Sequence, residues 1–272
     1  MTLLYRCPLC SAPLEQTQHS LCCQKRHQFD FAKEGYINLL PVQNKKSKQP
    51  GDNLQMVQAR RAFFATEHYV FLREKLVEKL LKLAPNTVID LGCGEGFYTH
   101  AIADSVDGQV YGVDISKAAV KYAAKRYKNV NFSVASIKQA PFPDNSADIL
   151  LSVFAPIFAQ ELHRLCNDNG TLIIVSPGPK HLFELKQHIY DDVQLHDVVD
   201  TPHGFVLKEH NLLEVQQQIS TGVLEHLIQM TPFAWKFKDS HYDALRNAKT
   251  HTVTLSFYIS EFKKDEQKAV FN

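Results

Sequence analysis

No stretch of this 272-residue sequence comes near the roughly 18 consecutive apolar residues that a bilayer-crossing helix needs. A membrane-spanning segment is therefore not expected. The opening residues, MTLLYRCPLC, also lack the charged, apolar and small-residue succession of a secretion signal, and a cytoplasmic address is the expectation that follows. Thiols stay reduced in that compartment, so the six cysteines are not expected to form disulfides. Net charge is nearly absent as well: 30 Lys and Arg stand against 29 Asp and Glu, a formal +1. That balance hides an asymmetry. Residues 1–60 carry eight basic side chains against four acids, a surplus of four that suits a polyanion such as nucleic acid and equally suits a solvated face. What is present is ordinary material for a core, with 44% hydrophobic and 22% charged residues, enough for one large domain plus an appendage or for two ordinary domains.

A further absence concerns the ligand. Residues 87–100 read TVIDLGCGEGFYTH, an apolar run closed by an acid and then by glycines at 92, 94 and 96. Such glycines let a strand turn sharply into a helix while the backbone comes close to a ligand. A dinucleotide fingerprint, G-x-G-x-x-G, would place its third glycine at position 97, which is Phe97. Asp90 stands two residues before the first glycine, where a carboxylate repels phosphate and suits an ammonium group. A second apolar run, QVYGVD, ends in Asp114, placed to accept the two hydroxyls of a ribose. S-adenosylmethionine has an ammonium, a sulfonium, a ribose and an adenine but no phosphate. The pattern therefore favours that cofactor.

Four of the six cysteines lie within the first 23 residues. Cys7 and Cys10 form C-P-L-C, and Cys23 with His27 forms C-Q-K-R-H twelve residues later. Two close pairs across a short loop is the layout of a tetrahedral Zn²⁺ site, each pair supplying one edge. Four strong ligands leave no open position, so the zinc is expected to be structural. Cys23 is preferred for its C-x₃-H spacing, while Cys22, with C-x₄-H, is also allowed.

From Thr87 onward short apolar runs alternate with helical stretches, the signature of a parallel sheet covered on both faces. Strands are expected at TVIDL, QVYGVDI, VNFSVAS, ADILLSV and TLIIVS, and helices over 98–105, 117–127 and 159–165. Ligands of such sheets bind beyond the carboxyl ends of the strands, where Gly92, Asp114, Ser136 and residues 154–156 fall. Two late extended runs, HGFVLKEHNLLEV and THTVTLSFYISEF, flank a helix around 224–229, and the last strand is expected to insert antiparallel. The fold class is thus α/β, a Rossmann-like class I methyltransferase sheet with helices on both faces, preceded by a small zinc-binding domain. The expected division is 1–43 for the zinc module, 44–86 for a basic linker and helices, and 87–272 for the methyltransferase domain. NKKSKQPG at 44–51 is the linker. Asp52 with Gln55 resembles a capping box before the helix LQMVQARRAFF. A second helix, VFLREKLVEKLLKLA, carries Leu72, Leu76, Leu80 and Leu83 as a buried stripe. The two helices are expected to roof the cofactor opening, with Tyr69 in the turn between them.

Taken together, CPLC…CQKRHQFDFAKEGYINLLPVQ, PGDN…MVQARRAFF…HY, LGCGEGFYTH, VASIKQAPF, PGPKHLFELK and QMTPFAW resemble the bacterial 23S rRNA guanine-N1 methyltransferases over most of the chain. The resemblance implies a zinc module that grips rRNA, 23S rRNA as substrate, and a homodimer. It implies zinc ligation by Cys7, Cys10, Cys23 and His27, and cofactor contacts from Tyr69, Gly94, Glu95 and His181. The sequence departs from the family pattern at Cys22, an additional thiol, and at LLSVFAP, where the family places an arginine and a tyrosine. A related branch, associated with macrolide resistance, modifies a neighbouring guanine; this sequence looks closer to the housekeeping branch. A small-molecule methyltransferase is the alternative, since the central fold serves many acceptors.

Guanine N1 carries a proton at neutral pH, so a general base or a group stabilising the deprotonated ring is expected. His181, just beyond TLIIVSPGP, is the candidate, with a cofactor contact as its preferred role. N1 lies on the pairing edge, so the guanine must sit in a loop or leave its stack. Tyr69, Phe97, Tyr98 and Phe154 are the aromatics expected near it, and Lys45, Lys46, Lys48, Arg60 and Arg61 the cations expected near phosphates.

Overall fold

The computed structural model describes residues 3–42, 51 and 54–265. The linker at 44–50, with Lys45, Lys46 and Lys48, and Asp52 of the expected capping box lie outside them. The N-terminal module is built on three short antiparallel strands, β1 (Glu15–Gln16), β2 (Ser20–Cys22) and β3 (Gln28–Asp30). A fourth strand, β4 (Ile37–Asn38), leaves that small sheet and pairs in parallel with a strand of the large one.

Two helices follow, α1 (Leu54–Phe64) and α2 (Val70–Leu83). Leu72, Leu76 and Leu80 recur every fourth residue and are fully buried, while Leu83, the fourth member of the expected stripe, is only half-buried. Helix α2 ends at Ala84, which takes a left-handed conformation (φ 43°) directly before Pro85. The central elements are β5 (Thr87–Leu91), α3 (Phe97–Ala103), β6 (Gln109–Asp114), α4 (Lys117–Arg126), β7 (Asn131–Val134), β8 (Ala147–Val153), α5 (Ala159–Leu165) and β9 (Cys166–Pro177). Then come α6 (Phe183–Lys186), β10 (Phe205–Ser220), α7 (Thr221–Gln229), a 3₁₀ turn (Ala234–Lys236), α8 (Asp239–Arg246) and β11 (Thr250–Lys264).

The large sheet has eight strands in the order β10-β11-β9-β8-β5-β6-β7-β4. Strands β4 to β9 run parallel, while β11 inserts antiparallel beside β9 and β10 pairs antiparallel with β11. Strand order reverses at β5, so the crevice beyond the carboxyl ends of β5 and β8 is the topological switch point where ligands of such sheets bind. Strand β9 starts at Cys166, earlier than the apolar run TLIIVS suggests, because its extended backbone continues through Asn167 to Gly170.

Each face of the sheet carries its own core. One is filled by α1 to α4 and α7, with Phe63, Leu72, Phe132 and Phe257 buried between them. The other is shared with the zinc module: Tyr5, Leu14, Leu21, Ile37 and Leu39 pack into the same cluster as Tyr111, Phe142 and Leu150. The Tyr5 ring lies 5.5 Å from Tyr111 and 5.2 Å from Phe142, and its hydroxyl donates to the Asn131 carbonyl (3.1 Å). The N-terminal module therefore has little apolar interior of its own and completes one with the sheet. Among the described residues no helix is long and apolar enough to cross a membrane.

Candidate active site and zinc centre

Cys7, Cys10, Cys23 and His27 converge so that their four ligand atoms all lie within 4.8 Å of one another. Two tight turns aim them. Ser11 and Arg26 both adopt positive φ, their amides donating to the Cys7 and Cys23 carbonyls (2.8 Å each). His27 Nδ1 sits 3.4 Å from both Cys7 Sγ and Cys23 Sγ, and Cys10 Sγ is 3.7 Å from Cys23 Sγ. A tetrahedron with zinc–sulfur and zinc–nitrogen bonds of about 2.3 and 2.0 Å has edges of about 3.8 and 3.5 Å. The donor set and its spacing fit Zn²⁺ with no position left open. Cys22, the last residue of β2, is outside this cluster, its sulfur on the side of Ser20 Oγ (3.9 Å).

The second site forms at the switch point. Gly92, Gly94 and Gly96 all take positive φ, 90°, 53° and 81°. At Gly92 a Cβ would come 2.5 Å from that of Ala155, so the turns after β5 and β8 touch there and only glycine fits. Asp114, at the end of β6, accepts the Gly94 amide on Oδ2 (2.9 Å) and the Ser116 amide on Oδ1 (2.7 Å). Ser116 in turn caps α4, its hydroxyl accepting the Ala119 amide. These bonds fix the carboxylate at the foot of the glycine turn.

Asp90 is almost wholly buried, and burial pushes its pKa up to about 7. The Thr99 hydroxyl donates to its Oδ2 (2.5 Å), while its buried Oδ1 has no hydrogen-bond partner among the described residues. An orphaned carboxylate oxygen beside a glycine turn fits a cationic ligand group. Glu95 lies buried with the Arg60 guanidinium 3.5 Å from its Oε2. Tyr69, expected between α1 and α2, is there, and its hydroxyl lies 3.4 Å from His181 Nε2. The Ser256 amide donates to His181 Nδ1 (3.3 Å), which leaves the proton of the neutral ring on Nε2. Burial, with Lys186 and His196 nearby, holds the His181 pKa down to about 3, so the ring is uncharged at neutral pH.

The structure thus brings Asp90, Gly92, Gly94, Glu95 and Asp114 to one crevice, with Tyr69 and His181 joined to each other beside it. Helix α1 roofs the glycine turn through Phe64, whose ring stacks on Phe97 at 4.2 Å. Several expectations are corrected. Tyr69, Phe97 and Tyr98 are core residues, each more than nine-tenths buried, and only Phe154 of the four aromatics is open, at 44% exposure. Arg60 is engaged by Glu95, and the exposed Arg61 has its guanidinium over the Tyr122 ring at 3.6 Å. Thr99 and Phe257 escaped the sequence reading. Thr99 lies one turn into α3, where side chains tilt back toward the helix start and thus toward Asp90. Phe257, 4.8 Å from His181 and 5.0 Å from Tyr69, comes from the last strand and has no local signal.

Comparison with known proteins follows the same division. The family model described as "RlmA, N-terminal", a zinc ribbon, matches residues 5–48, and a "Methyltransferase domain" model matches 84–236. A 23S rRNA (guanine(748)-N(1))-methyltransferase of Streptomyces fradiae is 33% identical over 269 residues, covering 92% of this chain and 93% of that protein. The chain belongs to the 23S rRNA (guanine-N1)-methyltransferase family. A Bacillus subtilis protein named "Putative 23S rRNA (guanine-N(1)-)-methyltransferase YxjB" is 27% identical over 93% of this chain and 94% of its own length. A malonyl-[acyl-carrier protein] O-methyltransferase of Legionella pneumophila is 30% identical over 46% of this chain and 52% of its own length. This methyltransferase uses S-adenosylmethionine and carries structural zinc.

Proposed function

We propose that this methyltransferase transfers the methyl group of S-adenosylmethionine to N1 of one guanine in a hairpin of 23S rRNA. One observation carries the acceptor class. Relatives named for 23S rRNA match more than nine-tenths of the chain, whereas the O-methyltransferase matches less than half of it. Bound at the switch point, the cofactor supplies an electrophilic methyl on sulfonium, and its transfer to nitrogen is an in-line displacement governed by positioning.

The chain's own residues divide that positioning. Asp114 accepts the ribose hydroxyls, and Gly92 and Gly94 let the backbone approach. Asp90 Oδ1 receives the ammonium, and Glu95 holds the far side of the turn through Arg60. Tyr69 and His181 close the methionine end. His181 does not abstract the N1 proton in this reading. Its one lone pair is engaged by the Ser256 amide, and at a pKa of about 3 it is a poor base. Phe154 is the aromatic that stacks on the extruded guanine: it is open, ends β8 beside the glycine turn, and holds a left-handed backbone (φ 55°) of the strained kind that collects at working sites.

The zinc module at 1–43 forms the rRNA-gripping domain, joined through 44–86 to the catalytic domain at 87–272. The enzyme acts in the cytoplasm as a homodimer, the latter as the family resemblance implies, and light scattering checks the oligomer. The deciding experiment incubates the protein with unmodified 23S rRNA and labelled cofactor, then maps the product by primer extension. Methylation at N1 blocks pairing and arrests the polymerase; label incorporated without an arrest would move the reaction to another atom. The position of the arrest also separates guanine 748, named for the Streptomyces fradiae relative, from a neighbouring guanine.

A further inference from the structure

A second aromatic and cationic site lies outside the crevice. Residues 187–191, which follow α6, and the 3₁₀ turn 234–236 with the start of α8 enclose a cleft of about 430 Å³. Its wall carries Trp235, 78% exposed and the single tryptophan of the sequence. The Lys236 ammonium lies 4.0 Å above the Tyr190 ring and 5.4 Å from that of Trp235. Lys238 is exposed at the same rim, and Asp191 is the one carboxylate among the lining residues.

Trp235 leaves a large aromatic face in water beside two lysines. Lys236 can hold its charge against Tyr190 while the outer face of Trp235 stays open for a flat, π-rich partner. The volume falls in the range of small-ligand sites and accommodates one base with its sugar. Every base has a face to stack, and its phosphate needs a cation nearby. One wall of the cleft, residues 187–191, begins six residues after His181 in the chain. His181 precedes Leu182, which takes a left-handed conformation (φ 57°) at the start of the four-residue α6, and Tyr190 follows that helix.

We propose that this cleft binds a single-stranded nucleotide of the rRNA flanking the target guanine, with its base stacked on Trp235 and its phosphates met by Lys236 and Lys238. The inference rests on the rRNA reading above. Extruding a guanine unstacks its neighbours, and a platform for one of them holds the hairpin open during transfer.

Trp235 itself reports the result. A transcript of the target 23S rRNA hairpin, titrated into the native zinc-loaded protein, is expected to quench its tryptophan emission saturably. Trp235→Ala should weaken binding of that transcript roughly tenfold or more, with Trp235→Phe keeping much of the affinity. Lys236→Gln combined with Lys238→Gln should flatten the salt dependence by roughly one phosphate contact or more. Cofactor affinity, measured by calorimetry, should be unchanged in all of them. Unmoved emission, or an alanine variant that methylates the transcript with native KM, overturns the proposal while leaving the catalytic reading intact. Loss of a dimer in Trp235→Ala with RNA affinity unaltered assigns the surface to a second copy of this chain instead, and also overturns it. A native protein that is quenched by the transcript yet never methylates it strikes the catalytic reading and supports the platform.

Discussion

The zinc centre and the methyl-transfer crevice solve the same problem, holding several polar groups in fixed relation, by opposite means. In the zinc module four donors from 21 residues of chain gather around one point, with only short strands and two tight turns behind them. Without a metal their thiols and imidazole have nothing to repay their convergence, so the geometry depends on the ion. The crevice draws Asp90 with Gly94, Asp114, His181 and Phe257 from four separate segments, each fixed by a strand of a buried sheet. Its polar groups are arranged before any ligand arrives, and the cost shows as Asp90 with one orphaned oxygen and a raised pKa. The first site is made by its ligand; the second waits for one.

The largest test of that contrast is metal removal. Chelation, or Cys23→Ser, should abolish zinc binding by elemental analysis and lower the melting temperature of the whole chain, since the module shares a core with the sheet. Cys22→Ser should keep its zinc. A module that melted alone, with the methyltransferase transition unmoved, would break the shared-core account. Next in size is Gly92→Ala. Its Cβ would meet Ala155 at 2.5 Å in a left-handed conformation, a change expected to cost about 2 kcal/mol and to weaken cofactor binding tenfold or more by calorimetry.

A smaller effect concerns pH. A carboxyl whose pKa is raised on folding takes up a proton in the folded state, so its share of stability is largest in acid and is lost as pH climbs from about 4 through about 7. Cofactor affinity should run the other way, falling up to about tenfold per pH unit below about 7 as Asp90 loses its charge. Asp90→Asn should bind more weakly with that slope removed; an unaltered slope would put the ammonium elsewhere. Tyr69→Phe should do least, about fivefold in cofactor affinity for one hydrogen bond to a neutral imidazole.

How legible each site is in the sequence follows the same contrast. Spacing alone brings Cys7, Cys10, Cys23 and His27 together and prefers Cys23 over Cys22, and the structure places Cys23 in the cluster and Cys22 outside it. The parallel strands, α5 at 159–165 and the antiparallel last strand were equally open to reading, because apolar period and turn residues are local. Partners that meet across the sheet were not. Nothing near Phe257 announces His181, and nothing near Arg60 announces Glu95. The aromatics expected near the guanine, Tyr69, Phe97, Tyr98 and Phe154, carry no local mark of burial; only tertiary packing separates the three that are covered from the one that is not.

Strand β4 is two residues long, yet it has a consequence for target choice. By pairing Ile37 with Ser133 and Asn38 with Val134 it stitches the metal-bearing lobe into the same rigid plate that carries the glycine turn. If that lobe clasps the ribosomal hairpin, the distance from clasp to reacting methyl is a constant of the molecule, and the enzyme selects its guanine as a caliper does, by span.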